Sequence, residues 1–325
     1  MTRVERKFPY VYLTVGSETY YFDDRKPPLG AGSMGTVYLG YSCESGERVA
    51  IKCVNSRFAN NPKIRARAKL EADLMFRHRN LIEMLGCCEE YPNRGPIYIV
   101  SKFVPGVNID QFISSHISIQ TPDRIKRICT MFYPVLDALT YIHSHNIVHM
   151  DIKPSNIMVE NGSNVRLMDL GISYVALGES SGECAELMGT PKYAAPEQFD
   201  INASSRLNAQ TDIYEAGVTL YELLTGFNPY VSGDIRQSAE KHKTILLPYV
   251  QNVPKKLVDV LRRATAPNQC DRYSSALQFK NAVSEALITS TRTTNKTGVI
   301  IAIIFSTLAL IISIIVIILK CIYDK

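Results

Sequence analysis

The run 298–319 limits the fold of this chain more than any other segment. It holds 22 consecutive residues without a charge, dominated by Ile, Leu, Val and Ala. As a helix it would be roughly 33 Å long, enough to cross a hydrocarbon core. A core helix of that length in a globular protein would carry a polar stripe, and this run has none. A single transmembrane helix is therefore expected at 298–319. A polar linker, TSTRTTNKT, precedes it at 289–297, and a short tail follows at 320–325. The opening stretch MTRVERKFPYVYLTV lacks the long apolar centre of a signal peptide.

The residues before the linker must fold in water. Hydrophobic residues make up 46% of the chain and charged ones 21%, which favours a packed core over disorder. The net charge is only +5, and no basic run alternates with aromatics, so nucleic acid is not an expected partner. The eight cysteines form no C-x-x-C and have no His pair at metal spacing. They are expected to be reduced and mostly core, with no zinc site and no disulfide framework.

Pattern along the chain changes from period two to helical spacing. Short β-like runs at 10–15 and 19–22 flank a Gly16-Ser17 turn, and Pro27-Pro28 interrupts the chain after them. Strands are expected at 36–41, 48–54 and 97–100. A helix is expected from Asn61, with Pro62 at its first position, to about His78. After Pro105-Gly106, helices are expected at 125–143, 213–225, 254–264 and 275–287. Strands first and helices second imply an α+β protein in two lobes.

Four motifs carry chemistry. Gly30-Ala31-Gly32-Ser33-Met34-Gly35-Thr36-Val37 is G-x-G-x-x-G-x-V. Glycines let a backbone turn tightly and bring amides against phosphate oxygens. A dinucleotide-binding turn would open a helix at this point, whereas this sequence runs on into TVYLGY and a second strand, RVAIKCV. In that second strand Ala50 and Lys52 share a face, and an inward lysine needs anions to pair with. Glu71 is the favoured carboxylate, flanked by Leu70, Leu74 and Met75; Asp73 and Glu83 are the alternatives. The third motif is VHMDIKPSNIMV, where Asp151, Lys153 and Asn156 lie between two apolar runs. A carboxylate, a cation and an amide in one loop suit phosphoryl transfer: proton acceptor, phosphate partner and metal ligand. Thirteen residues on, Met168-Asp169-Leu170-Gly171 supplies a second candidate metal ligand in Asp169.

Together these motifs resemble the eukaryotic-type (Hanks-type) protein serine/threonine kinase family, in the style of its bacterial members. LGAGSMGTVYLG, VAIK, HMDIKPSN, DLG and GTPKYAAPE occur in the family order, followed by DIYEAGVTLYELLTG and DRYSSA. The resemblance spans roughly residues 28–288. It implies a bilobal kinase fold, with a small β-rich lobe (28–103) carrying one main helix and a larger helical lobe (104–288). Residues 1–27 would be an N-terminal extension. The implied substrates are ATP and Ser/Thr hydroxyls of proteins, with Mg2+ as cofactor. Asp151 and Lys153 would be catalytic, and Asn156 and Asp169 would bind the metal. ATP would lie against Leu29, Gly30, Gly32, Gly35, Val37, Ala50, Lys52, Glu71, Ser101, Lys102, Val104 and Met158. Ser101 would gate the back of that pocket, with Lys102 to Val104 as the hinge. Thr190, Pro196, Glu197 and Arg272 would form the substrate platform, and Asp212 would brace the catalytic loop.

Three positions depart from the family pattern. Met150 stands where most members carry arginine before the aspartate, Leu170 replaces Phe, and Lys102 replaces a common acidic hinge residue. The absent arginine puts control through activation-loop phosphorylation in doubt. The alternatives are a pseudokinase-like membrane scaffold, a small-molecule kinase and a non-enzymatic receptor. The complete set Lys52, Glu71, Asp151, Asn156 and Asp169 argues against the first, and the Thr190–Glu197 platform against the second. Only six residues follow Leu319 here, so no sensor domain is expected beyond the span. Localisation to a bacterial cell membrane is expected, with the kinase domain in the cytoplasm where ATP is. The charges flanking the span do not decide this: Arg292 and Lys296 lie on one side, Lys320 and Lys325 on the other. Gly298, Ala302, Ser306, Ala309 and Ser313 fall on one helical face, which would suit a homodimer within lipid.

Overall fold

The computed structural model describes residues 3–32, 35–55, 62, 65, 76–91, 94–118, 120–121, 123–169, 190–200 and 207–289. Eight strands build the small lobe: β1 (Arg3–Lys7), β2 (Tyr10–Val15), β3 (Glu18–Phe22), β4 (Gly30–Ala31), β5 (Gly35–Ser42), β6 (Arg48–Val54), β7 (Met84–Tyr91) and β8 (Arg94–Lys102). The sheet order is β1-β2-β3-β5-β6-β8-β7, with the short β4 also on β5. Every pair is antiparallel. Register sets Val37 opposite Lys52 and Ala50 opposite Ser101.

Alternation along the strands gives this sheet two distinct faces. Ala50 and Lys52 point one way. Val49 and Ile51 point the other, into a core with Val11, Leu13, Tyr20, Phe22, Cys88, Tyr98 and Val100. Strands β2 and β3 therefore cover the sheet face that turns away from Lys52. The two ends of the strand order also meet. Arg6 of β1 donates to Glu90 Oε1 at 3.1 Å and to the Tyr98 hydroxyl at 2.9 Å. Gly86 of β7 has φ 137°, and a Cβ there would lie 2.3 Å from Val15 Cγ1, so only glycine permits the contact. Residues 3–22, expected as an extension, thus share one sheet with the small lobe. Strand β1 was not expected: RVERK has no apolar alternation and no buried residue.

The helix expected from Asn61 to about His78 is described only at Pro62 and Arg65, and it does not reach its expected end, because 76–78 are non-helical. The chain leaves the helix so that Phe76 enters the large-lobe core and His78 stacks on Tyr141 at 4.9 Å. Arg65 donates to Glu89 Oε1 at 3.0 Å and to the Gly95 carbonyl at 2.9 Å, pinning this segment to the β7–β8 hairpin. Glu71 and its alternative Asp73 lie outside the described residues.

In the large lobe, β9 (Gly106–Asn108), β10 (Ile157–Glu160) and β11 (Asn164–Leu167) form a sheet in the order β11-β10-β9. The expected helices are present at Arg124–Ser144, Ala209–Thr225, Lys255–Ala264 and 276–289. Two more, Ile109–His116 and Ile235–Thr244, were not expected. Helix Ala209–Thr225 is the centre of the lobe. The Asn208 side chain caps it by accepting from Gln210 N at 2.8 Å, and left-handed Gly226 ends it. It is buried on all sides, so its polar residues face other protein groups. A parallel bridge joins Leu81 to Leu167 and ties the lobes behind the cleft.

Two other expectations need correction or qualification. Of the six described cysteines only Cys88 and Cys129 are buried, while Cys43 and Cys270 are exposed. Cys53 and Cys87 are half-buried and pack against apolar clusters, so four of the six described cysteines meet the expectation and the two exposed ones, in a turn and a 3-10 turn, do not. Among the described residues no helix is long and apolar enough to cross a membrane; segment 298–319 lies outside them.

Candidate active site

The catalytic loop runs from His149 to Asn156 and leads into β10. Lys153 Nζ donates to Asp151 Oδ2 at 2.6 Å and to Thr190 Oγ1 at 2.9 Å. Asn156 Nδ2 donates to the same Asp151 Oδ2 at 2.9 Å and to the Asp151 carbonyl at 2.8 Å. Two donors thus hold one carboxylate oxygen of Asp151, and no hydrogen bond within the described residues takes Oδ1. The peptide amides behind this carboxylate end on buried groups. His149 N and Met150 N donate to the Asp212 carboxylate at 2.8 and 2.7 Å. Asp151 N donates to His149 Nδ1 at 3.3 Å, which leaves the ring proton on Nε2 to reach the Met168 carbonyl at 2.8 Å. Met150 is left-handed at φ 67° and buried against Leu207.

On the opposite wall the glycine turn is closed by Gly32 N donating to the Gly35 carbonyl at 2.9 Å and Leu29 N to Val37 at 2.8 Å. A Cβ on Gly35 would lie 2.3 Å from the Cys53 carbonyl, whereas Gly30 and Gly32 have open space. Lys52 Nζ crosses the cleft to Asp169 Oδ1 at 3.0 Å. The lysine side chain is 16% exposed and the aspartate 47%. Partial loss of solvent in the cleft pushes the half-exposed Asp169 carboxyl up, but the Lys52 ammonium more than offsets it, helped by Lys153, and the group sits below its usual range. Asn156 and Asp169 offer hard oxygen donors at the base of the cleft. Such a pair suits Mg2+, which keeps several waters and shares phosphate oxygens instead of needing a full protein cage. No group of three or more His, Cys, Asp or Glu gathers at metal distance among the described residues.

The remaining expected residues divide between nucleotide slot and platform. Val104 and Met158 belong to one apolar cluster with Ile82, Met84, Ile99 and Met168. Ser101 is buried at its back, and Lys102 pairs with Glu83 at 2.7 Å on the outside. Leu29 is exposed at the mouth. Glu197 and Arg272 meet in a buried bidentate pair at 2.7 and 2.9 Å, just after Pro196 opens a short 3-10 turn. Burial raises the Glu197 carboxyl, and Arg272 with Gln269 brings it below the usual range. A groove of about 860 Å3 lies elsewhere, between Arg124, Leu224, Val253 and Ile288, and none of the expected site residues lines it.

Several residues at the site carried no signal in the sequence. His242 donates from Nε2 to the Pro191 carbonyl at 2.8 Å while the Tyr214 hydroxyl bonds its Nδ1 at 2.8 Å, and burial pushes its pKa down to about 4. Gln198 accepts from Ala195 N at 2.6 Å and donates to the Met150 carbonyl at 3.3 Å. Glu215 accepts from Ile152 N at 2.8 Å. The only hint was that polar residues recur inside a helix too apolar to be exposed.

Two lobes joined behind a cleft, a glycine turn above a lysine, and an Asp–Lys–Asn loop below define a protein kinase, and residues 24–286 match the protein kinase domain family. The chain belongs to that family, and its relatives include bacterial serine/threonine kinases. It is 32% identical over 263 residues to the probable serine/threonine-protein kinase PknB of Lactococcus lactis, covering 79% of this chain and 40% of that one. It is 28% identical over 264 residues to the serine/threonine-protein kinase PrkC of Bacillus subtilis, covering 79% and 39%. The chain therefore spans about two fifths of the length of those relatives. Its fold is similar to the PknI kinase domain of Mycobacterium tuberculosis, with TM-score 0.61 and 22% identity over 86% of this chain and 96% of that one.

Proposed function

We propose that this chain is a membrane-anchored, ATP-dependent protein serine/threonine kinase. The observation that carries the reading is the convergence of Lys153 and Asn156 on Asp151, with Thr190 accepting from Lys153, and Lys52 and Asp169 paired across the cleft above them. The free oxygen of Asp151 accepts the proton of a Ser or Thr hydroxyl as that oxygen bonds to the γ-phosphorus and the β–γ bridging bond breaks. Lys153 neutralises charge on the transferring group, and Thr190 holds Lys153 in reach. Lys52 takes the α- and β-phosphates, with Glu71 as its carboxylate partner. Asn156 and Asp169 hold Mg2+, which neutralises charge on the phosphates when bound. The apolar slot of Val104 and Met158, with Leu29, Val37 and Ala50, encloses the adenine, and the hinge at Lys102 offers its backbone. Glu197, Arg272 and Pro196 support the segment on which a peptide substrate lies.

Segment 298–319 is read as the membrane span, tied by the 289–297 linker to a kinase domain of 28–288 on the cytoplasmic side. Its small-residue face would pair two copies. Met150 cannot make the charge-assisted bond to a phosphate that arginine makes, so basal activity does not need a phosphorylated activation loop.

Asp151→Asn keeps the nucleotide cradle and removes the proton acceptor. Phosphorylation of a generic basic protein should fall by roughly 10²–10⁴-fold while ATP still binds. Asp169→Asn should also lose Mg2+-dependent nucleotide binding. Near-normal turnover in Asp151→Asn would refute the assignment, and an inactive wild type that binds its partners would favour the scaffold reading.

A further inference from the structure

Helix Ala209–Thr225 meets the catalytic loop with one stripe: Asp212, Glu215 and Thr219, three and four residues apart. Asp212 takes the His149 and Met150 amides and also His143 Nε2 at 2.7 Å. Thr219 Oγ1 donates to the Ile152 carbonyl at 2.8 Å, and Glu215 Oε2 accepts from the Ile152 amide at 2.8 Å. Both backbone groups of Ile152 are thus held by this helix. Ile152 is the residue between Asp151 and Lys153, and its own side chain is wholly buried.

Glu215 is the unusual member of the stripe. It is 2% exposed, and no lysine or arginine ion pair reaches it among the described residues. The groups that act on it are Asp212 on its own helix, Asp151 on the loop, and the uncharged Gln198 amide from the turn Pro196–Phe199. A buried carboxylate facing two others has no cation to justify its charge.

Resting on the kinase reading above, we propose that Glu215 is a positioning residue for phosphoryl transfer, holding the Ile152 amide so that the Asp151 carboxylate points at the substrate hydroxyl. Burial, and then the Asp212 charge, push its carboxyl well above the usual range and so favour its protonated form, against the Ile152 amide and the Gln198 amide, which favour the charged one. Ionising it would place a second buried anion beside Asp212, which only displacement of the loop or entry of water relieves. Turnover therefore declines on the alkaline side as Glu215 ionises, while nucleotide affinity, set by the other wall, changes little.

The test uses the full chain in detergent, comparing wild type with Glu215→Gln and Glu215→Leu. Glutamine keeps shape and acceptor but cannot ionise. Its kcat should stay within about threefold of wild type at neutral pH, with the alkaline decline displaced upward or lost. Leucine leaves the Ile152 amide buried without an acceptor; kcat should fall by about tenfold or more, with KM for ATP within about threefold. At neutral pH, amide exchange across 149–153 should accelerate in the leucine variant and not in the glutamine one; as pH rises, it should accelerate in wild type relative to glutamine. A leucine variant with wild-type kcat and exchange overturns the proposal, as does a glutamine variant with the wild-type alkaline decline. If the leucine variant does not fold, the glutamine pH profile decides. If wild type transfers no phosphate, the kinase reading fails by itself, and equal exchange in wild type and glutamine at high pH still overturns the positioning role.

Discussion

Lys52 and Asp151 face one cleft from opposite lobes and are supported in different ways. Asp151 sits on a loop whose amides end on Asp212, Glu215 and His149, all anchored within the large lobe. Lys52 stands on a strand paired on both sides, but its ammonium reaches across the cleft to a half-exposed aspartate of the other lobe. On the proposed reading, the loop that carries Asp151 is therefore set before substrate arrives, whereas the Lys52–Asp169 contact depends on how the lobes stand and on what lies between them. Preorganised groups of the first kind need no rearrangement at the moment of reaction.

The strongest way to break this contrast is to disturb the large-lobe anchor. Arg272→Met leaves Glu197 buried without its cation, and we expect a loss of about 3–5 kcal/mol in thermal or urea unfolding. Adding Glu197→Leu should recover much of that loss; a single variant as stable as wild type would mean the pair does not support the platform. Next is the small lobe's own support. Leu13→Ala opens a void in the core that β1–β3 build over β6 and β8. It should cost about 3 kcal/mol and weaken ATP binding in calorimetry, with the catalytic-loop amides still protected in exchange. If those amides lose protection equally, the lobes do not behave as separate supports.

A smaller effect comes from His242. Its folded-state pKa of about 4 lies below the usual histidine value, so the unfolded chain binds the extra proton more readily. Its contribution is complete above pH 6.5 and is lost as pH falls toward 4, amounting to about 2 kcal/mol by pH 5. Melting of His242→Gln should depend less on pH across that window; identical slopes would remove His242 as the cause. The smallest expected effect is in the activation loop. Ser180 and Ser181 lie outside the described residues, but Met150 is buried against Leu207 and offers no charge. Changing both serines to alanine should alter kcat by less than about tenfold, roughly 1.4 kcal/mol. A loss of several orders of magnitude would show that another cation serves the loop.

What could be read from the sequence follows the same division. The loop around Asp151 was legible because charges between two apolar runs are rare and each has a chemical task. The structure brings Lys153 and Asn156 within hydrogen-bonding distance of Asp151, Thr190 within that distance of Lys153, and Lys52 with Asp169. Helices with an apolar stripe were legible within four residues of their ends. Helix Ile235–Thr244 was not, because its inward face is Ser238 and His242, which look like surface residues. Glu215 was hidden for a related reason: a helix buried all round makes no distinction between core and solvent sides, so periodicity cannot say which polar residue is inside. Strand β1 is defined by pairing and by the Arg6–Glu90 contact, 84 residues apart, which no local pattern reveals.

The strands that cover the small lobe leave the ribosome before the strands they pack on. Val11, Leu13, Tyr20 and Phe22 pack on Val49, Ile51, Cys88, Tyr98 and Val100, so their cover is complete only once β8 has emerged. About 80 residues separate the end of β3 at Phe22 from the end of β8 at Lys102. At ordinary synthesis rates that gap is roughly 4–16 s, far longer than a hairpin takes to form. The nascent chain thus carries an apolar, strand-forming face in waiting, and the interval in which it can meet another chain is set by translation speed, not by the stability of the finished lobe.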